Sequence, residues 1–396
     1  MEISAQHAIL TGMREAVRLI LPLAGALLLA ACGASPQERF AEAEKSYAAQ
    51  DYDAARVAVA AALRDEPADL PMLALLARAQ LRLGDPDGAA VTIAKLRGAG
   101  ANGPAVARFE AETRLLTGRP DDALALLGQD RSADAWRLRA RAQIALGQMD
   151  AAKASFDQGI AAGNDVLLFA DYVWFEVSSG NLPAAQAVLA RMQAFAPRAM
   201  ETLIVAGDIA LREGRNAAAL ADYRRAAKLY PTRFQPLVSE AELFERRGQL
   251  DAAVKAADAA AALQPNHPVI TRLQLRLAAG QGHWREIRAS LQGREDSLDP
   301  QSPEGQIYAE ALLRLGAPEQ ARTLLGRIVL MQPDNRHARL LLGEALLAGG
   351  SEDEAWTVLE PLVEGDEASL DELKVAESAA RAAGRQEADA LRARLQ

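Results

Sequence analysis

Two kinds of side chain here could do chemistry unaided, one thiol and four imidazoles. Cys32 is the only cysteine in 396 residues, so neither an intramolecular disulfide nor a multi-thiolate metal site can form. The histidines are His7, His267, His283 and His337. No H-E-x-x-H metal motif accompanies them, and no glycine loop ending in Lys-Ser/Thr is present to cradle phosphates. Carboxylates are plentiful, but nothing selects a pair with the separation glycoside chemistry needs. Stabilisation of helix surfaces accounts for them better. The chain is expected to be non-enzymatic, with no metal and no cofactor.

That leaves the thiol, and its position is telling. Leu19 to Ala31 is a thirteen-residue apolar run that ends directly at Cys32. A helix of that length is short for a hydrocarbon layer of roughly 30 Å, but it fits the hydrophobic segment of a secretory signal. Leu29-Ala30-Ala31-Cys32 resembles the lipobox of bacterial lipoprotein signal peptides. The resemblance implies cleavage before Cys32, acylation of its thiol (palmitate or a similar chain) and acylation of the new amino terminus. Several acyl chains anchor stably where one alone is marginal. Gly33 is not the aspartate linked to inner-membrane retention, which favours the outer membrane, facing the periplasm. The first twelve residues carry Glu2 and no Lys or Arg, whereas Met13 is followed by Arg14 and Arg18. Translation is therefore expected to start at Met13. Residues 1–31 read as the signal and 32–35 as a lipidated tether.

Composition describes what is carried behind that tether. Half the residues are apolar but only 5% are aromatic, and Ala and Leu outnumber the β-branched residues that favour strands. This composition points to an all-α chain. The net charge is −9 with no basic block, so a cationic stripe for nucleic acid is not expected.

A period of about 34 residues runs through the remainder. Gly84, Gly118, Gly147, Gly180, Gly214, Gly248, Gly282, Gly316, Gly350 and Gly384 fall between pairs of helical patterns, and from Gly180 onward every step is 34. A small residue usually stands five positions later, as at Ala89, Ala152 and Ala219. Glycine permits a left-handed turn, alanine permits close helix approach, and one hairpin cannot bury its apolar stripe without neighbours.

Trp136, Ala140, Gly147, Ala152 and Phe156, then Leu203, Gly207, Gly214, Ala219, Tyr223, Ala226 and Pro231, resemble the tetratricopeptide repeat signature. Leu342, Gly343, Gly350, Ala355 and Leu359 form a third copy. The resemblance implies a right-handed superhelical solenoid of helical hairpins over residues 36–369. About ten repeats are expected, a weak one at 268–301, with a polar capping hairpin at 370–396. The repeat from Pro104 is short, so its second helix should end near Leu127 or Gly128. Gln292 to Glu304 reads as the polar end of a helix plus a connector. Ile287 replaces the small alanine of the weak repeat.

The resemblance also implies a concave groove lined by the first helix of each hairpin. Its inward positions carry Arg78, Arg82, Arg108, Glu112, Arg137, Arg141, Trp174, Asp208, Glu242, Glu245, Arg272 and Arg276. The arginines suit carboxylates or peptide carbonyls, and Trp174 suits an anchor role. Trp136 and Trp356 read as core. The expected function is a protein-binding scaffold in the cell envelope, with envelope proteins or peptide segments as partners and the membrane reached through Cys32. Lipoproteins of similar design serve exopolysaccharide synthesis or export, protein sorting, and pilus or secretion assembly.

Overall fold

The computed structural model describes residues 34–293, 298–299, 302–365 and 367–396. The apolar run Leu19–Ala31, Met13 and Cys32 lie outside the described residues. All regular structure among the described residues is helical. The chain divides into two compact units, one ending at Glu213 and the other starting at Gly214.

The first unit contains α1 (Pro36–Ala48), α2 (Tyr52–Ala62), α3 (Leu70–Arg82), α4 (Pro86–Gly98), α5 (Pro104–Leu116), α6 (Pro120–Leu127), α7 (Ala133–Ala145), α8 (Met149–Ala162), α9 (Val166–Ser178), α10 (Leu182–Phe195) and α11 (Met200–Arg212). The second contains α12 (Asn216–Leu229), α13 (Gln235–Arg246), α14 (Leu250–Leu263), α15 (Pro268–Gly280), α16 (Trp284–Leu291), α17 (Pro303–Arg314), α18 (Pro318–Met331), α19 (Arg336–Ala348), α20 (Glu352–Val363), α21 (Leu370–Ala382) and α22 (Glu387–Arg394). Within each unit, neighbouring helices pair as hairpins that pack on one another. The molecule is an all-α solenoid of repeated hairpins.

Local sequence sets the helix starts. Ser35 opens α1 with a reciprocal cap: its Oγ accepts the Glu38 N–H at 3.2 Å, and Glu38 Oε2 accepts the Ser35 N–H at 2.7 Å. The side chains of Asp69, Asp85 and Asp165 accept the amides of Met72, Gly88 and Leu168 at 2.8, 2.9 and 2.8 Å. Each such cap contributes about 1 kcal/mol.

The hairpin turns follow one design. The ten glycines of the 34-residue period all have φ between +66° and +77°, the left-handed region that a Cβ disfavours. Five residues beyond Gln50 and beyond eight of these glycines, Ala55, Ala89, Ala123, Ala152, Ala185, Ala219, Ala253, Ala321 and Ala355 are fully buried at the close-approach position of the hairpin. Apolar clusters then span neighbouring hairpins. Ala43, Val59 and Ala62 of the first hairpin share a core with Met72 and Leu75 of the second. In the second unit, Leu312, Leu325, Leu341, Leu359 and Leu373 belong to one continuous core.

Two irregularities stand out. Helix α6 has eight residues and stops at Leu127, and the chain turns at Gly128 with φ +46°. Helix α16 also has eight residues and stops at Leu291. Of the stretch expected to be its polar end and a connector, Gln292 and Gly293 lie beyond the helix, Pro303 and Glu304 belong to α17, and residues 294–297, 300 and 301 lie outside the described residues. Ile287, 1% exposed, fills the close-approach position with a larger side chain.

Candidate functional site

In the first unit the inward-facing residues come from α3, α5, α7 and α9, and the structure separates those available to a partner from those already engaged. Arg137 is buried, with its side chain 4% exposed. Its guanidinium meets Glu112 at 3.3 Å, Asp134 at 2.9 Å and Asp171 at 3.7 Å. Burial opposes its charge, but the carboxylates of Glu112, Asp134 and Asp171 outweigh that and raise its pKa. No donor of Arg137 is accessible to a partner, contrary to the groove role expected from its spacing. Arg141 shares Glu112 at 3.7 Å. Arg108 is bound to Asp130 and approaches Asp134 at 3.4 Å. The locally basic groove expected from sequence is thus largely neutralised by carboxylates that the same hairpins supply.

Two of the expected residues remain open. Arg78 is exposed, with its guanidinium 5.1 Å from the centre of the Tyr47 ring and no carboxylate paired to it among the described residues. Trp174 is 39% exposed and lines a cavity of ≈ 560 Å³ with Arg141, Ile144, Met149, Asp171 and Phe175. Met149 is exposed there as well. The cavity offers an aromatic and aliphatic wall beside one guanidinium and one carboxyl. Burial holds the Asp171 carboxyl above its ordinary range despite the nearby Arg137 and Arg141 charges. Such a hollow suits an apolar side chain flanked by polar backbone.

A third feature of this unit was not anticipated. Gln50 stands where later hairpins have their turn glycine, 34 residues before Gly84, and it takes φ +60°. Its Nε2 donates to both Glu201 carboxylate oxygens at 3.2 and 3.4 Å. Arg82, over the Tyr52 ring at 5.4 Å, pairs with the same carboxylate at 3.4 Å. The turn of the first hairpin is thereby tied to the first turn of α11. The sequence did hold a signal for this: a glutamine at a position otherwise reserved for glycine.

In the second unit the inward row is a ladder of alternating charge. Arg276 binds Glu245 through two bonds of 2.7 Å and lies 3.6 Å from Glu242. Arg272 pairs with Glu304 at 2.9 Å. Further along, Arg314 bridges Glu310 at 3.2 Å and Glu344 at 2.7 Å, and His337 lies 3.7 Å from Glu310. Arg272 and Arg276 keep close to half their side-chain surface exposed, at 47% and 44%. Both are therefore reachable, but neither is an uncompensated cation.

Among the described residues no group of three or more His, Cys, Asp and Glu side chains could hold a metal ion. His267 caps α15, its Nδ1 accepting the Val269 N–H at 3.3 Å. His283 faces Glu286 at 3.6 Å. Trp356 is core at 5% exposure. Trp136 is only partly buried and carries the Arg139 guanidinium 4.5 Å from its ring centre. No described helix is long and apolar enough to cross a membrane.

The tetratricopeptide repeat family matches at residues 46–113 and again at residues 176–234 and 309–365. No curated protein matches the chain. Among solved structures, the APC/C hetero-tetramer Cut9–Hcn1 aligns at 12% identity over 91% of this chain and 98% of that one, with a TM-score of 0.46. Yeast Tom70 aligns at 13% identity over 89% and 96%, with a TM-score of 0.44. A tetratricopeptide repeat protein from Parabacteroides merdae aligns at 20% identity over 62% and 100%, with a TM-score of 0.43. Each stretch matched by the family contains the positive-φ glycine turn and the buried alanine described above. Stretches of both units are thus similar to the tetratricopeptide repeat family.

Proposed function

We propose that the chain is a non-enzymatic scaffold that binds a segment of another protein on the inner row of its first unit. The observation that carries this reading is the Trp174 cavity. A large aromatic and Met149 stay exposed at an inward position, while nearly every charge around them is paired. Exposed aromatic and aliphatic anchors beside a guanidinium are the usual carriers of interface energy. Arg78, open on the same row, adds a charged donor for a carboxylate or peptide carbonyl. A photo-crosslinking residue placed at Trp174 in living cells should capture one dominant partner, and Trp174→Ala should reduce its capture at least about tenfold. Crosslinking that gives no discrete product, or a product indifferent to Trp174→Ala, would overturn the assignment.

The finer part of the proposal is location. The Leu29–Cys32 sequence supports a lipoprotein acylated at Cys32 and at its new amino terminus, held at the periplasmic face of the outer membrane. Cys32→Ser should abolish metabolic labelling with a fatty acid and move the protein out of the membrane fraction. Unchanged labelling and partition would sink it. The captured partner's identity then distinguishes polysaccharide or protein-sorting machinery from pilus or secretion assembly.

A further inference from the structure

The shortened third hairpin opens a cavity unlike the inner row. From the start of α5 to the start of α7 is 29 residues, against 34 from α3 to α5. Helix α6 accordingly has eight residues, where α4 and α8 have 13 and 14. The chain leaves α6 at Gly128 and reaches α7 through a short loop. Between that loop, α7 and the last turns of α8 lies a cavity of ≈ 490 Å³.

Its lining includes Gln129, Arg131, Trp136, Arg139 and Gln158, and no carboxylate. Arg139 is held in place from two sides. Its guanidinium packs on the Trp136 ring at 4.5 Å, and its Nη2 donates to the Leu127 and Gly128 carbonyls at 3.1 and 2.8 Å. Its Nη1 has no hydrogen-bond partner among the described residues. Arg131 is exposed and makes no ion pair among the described residues. The acid just before Arg131 in sequence points elsewhere: Asp130 is bound to Arg108 and accepts the Ser132 N–H at 2.9 Å. Burial lowers the Arg139 pKa, and the Arg131 charge adds to that against the pull of Asp130. The other inward arginines described above meet a carboxylate or lie open over a ring; these two share a hollow whose lining holds two side-chain amides and no carboxylate.

We propose that this cavity is a binding site for a small oxyanion, a phosphate or a carboxylate, held by Arg131 and Arg139. A guanidinium fixed in plane by stacking presents a rigid fork to such a group. An anion would offset two neighbouring positive charges and use the idle Nη1 after a small side-chain adjustment. The amides of Gln129 and Gln158 supply further donors. The site is separate from the Trp174 cavity and does not depend on it.

The test is calorimetric titration of the full chain with inorganic phosphate and, separately, with succinate, at ionic strength held constant with sodium chloride. Saturable binding of either anion at one site is expected, and which one binds identifies the preferred group. Arg131→Gln and Arg139→Gln should each weaken it about tenfold or more, the usual scale for losing a charged hydrogen bond. Arg56→Gln, which removes a charge paired with Asp53 elsewhere on the surface, should leave it unchanged. Arg139 also caps α6, so if that variant fails to fold, Arg131→Gln decides alone. No saturable binding of either anion, binding that survives Arg131→Gln, or equal weakening by Arg56→Gln overturns the proposal.

Discussion

At the residue scale, Arg78 and Arg137 both belong to the inner row of the first unit yet have different roles. Arg137 holds three carboxylates together across three hairpins, Glu112 from α5, Asp134 from its own helix and Asp171 from α9. Removing it strands those carboxylates, so Arg137→Ala should cost about 3 kcal/mol of stability. Arg78→Ala, which only uncovers Tyr47, should stay within about 0.5 kcal/mol. Urea denaturation followed by helical circular dichroism separates the two; equal costs would refute the distinction. Sequence spacing placed both residues on the inner row but could not tell them apart. Which carboxylate meets which guanidinium depends on how far one hairpin is rotated against the next, and that rotation is not encoded in any single repeat. Gln50 is a second case. Its left-handed backbone costs about 1 kcal/mol relative to glycine, while a hydrogen bond to a charged group contributes about 1.5–3 kcal/mol. Gln50→Gly should therefore destabilise slightly and Gln50→Ala more. A double-mutant cycle with Glu201→Ala should give a coupling of about 1 kcal/mol. No coupling would mean that the tie to α11 contributes nothing.

At the scale of elements, helix boundaries were the most legible feature. Glycine turns and alanine contacts act within a few residues, so the turns from Gly84 to Gly384 could be read before any packing was known. The end of α6 at Leu127 was equally readable from the shortened period. The extent of α16 was not, because the polar residues after Leu291 are compatible with an exposed helix end as well as with a connector. Between elements, α17 and α19 are joined through Glu310 and His337. The neighbouring Glu310 carboxylate raises the His337 pKa from its ordinary 6.5, and His337 in turn lowers the Glu310 pKa from its ordinary 4.5. A raised histidine stabilises the fold fully below 6.5 and loses that contribution as pH rises through its folded value. A lowered glutamate contributes above 4.5 and loses it as pH falls through its folded value. The pair is therefore strongest near pH 5–6. His337 is 55% exposed, so solvent screening limits the effect to a few tenths of a kcal/mol. His337→Gln should lower the denaturation midpoint at pH 5.5 and leave it unchanged at pH 9. An equal loss at both values would assign the residue to packing instead.

At the scale of the whole molecule, the governing fact is that apolar clusters draw on neighbouring hairpins. Leu138 is fully buried with Ala111, Ala123, Leu127 and Ala135, residues of α5, α6 and α7. Truncating it removes contacts from those helices and leaves a cavity costing about 2–5 kcal/mol. In a repeat stack, stability is close to a sum of hairpin terms and nearest-neighbour interfaces, so the loss should stay near its origin. Leu138→Ala should speed amide exchange in α5 to α8, measured by mass spectrometry of peptides. Peptides from α17 to α22, whose core runs from Leu275 to Leu391, should exchange at the parent rate. Uniform acceleration along the chain would show a single cooperative block, and stability could not then be assigned hairpin by hairpin. Local acceleration would mean that a partner seated on the Trp174 cavity also stabilises its own neighbourhood first. Protection on binding would then be centred on α7 to α10, a footprint that the same exchange measurement reads directly.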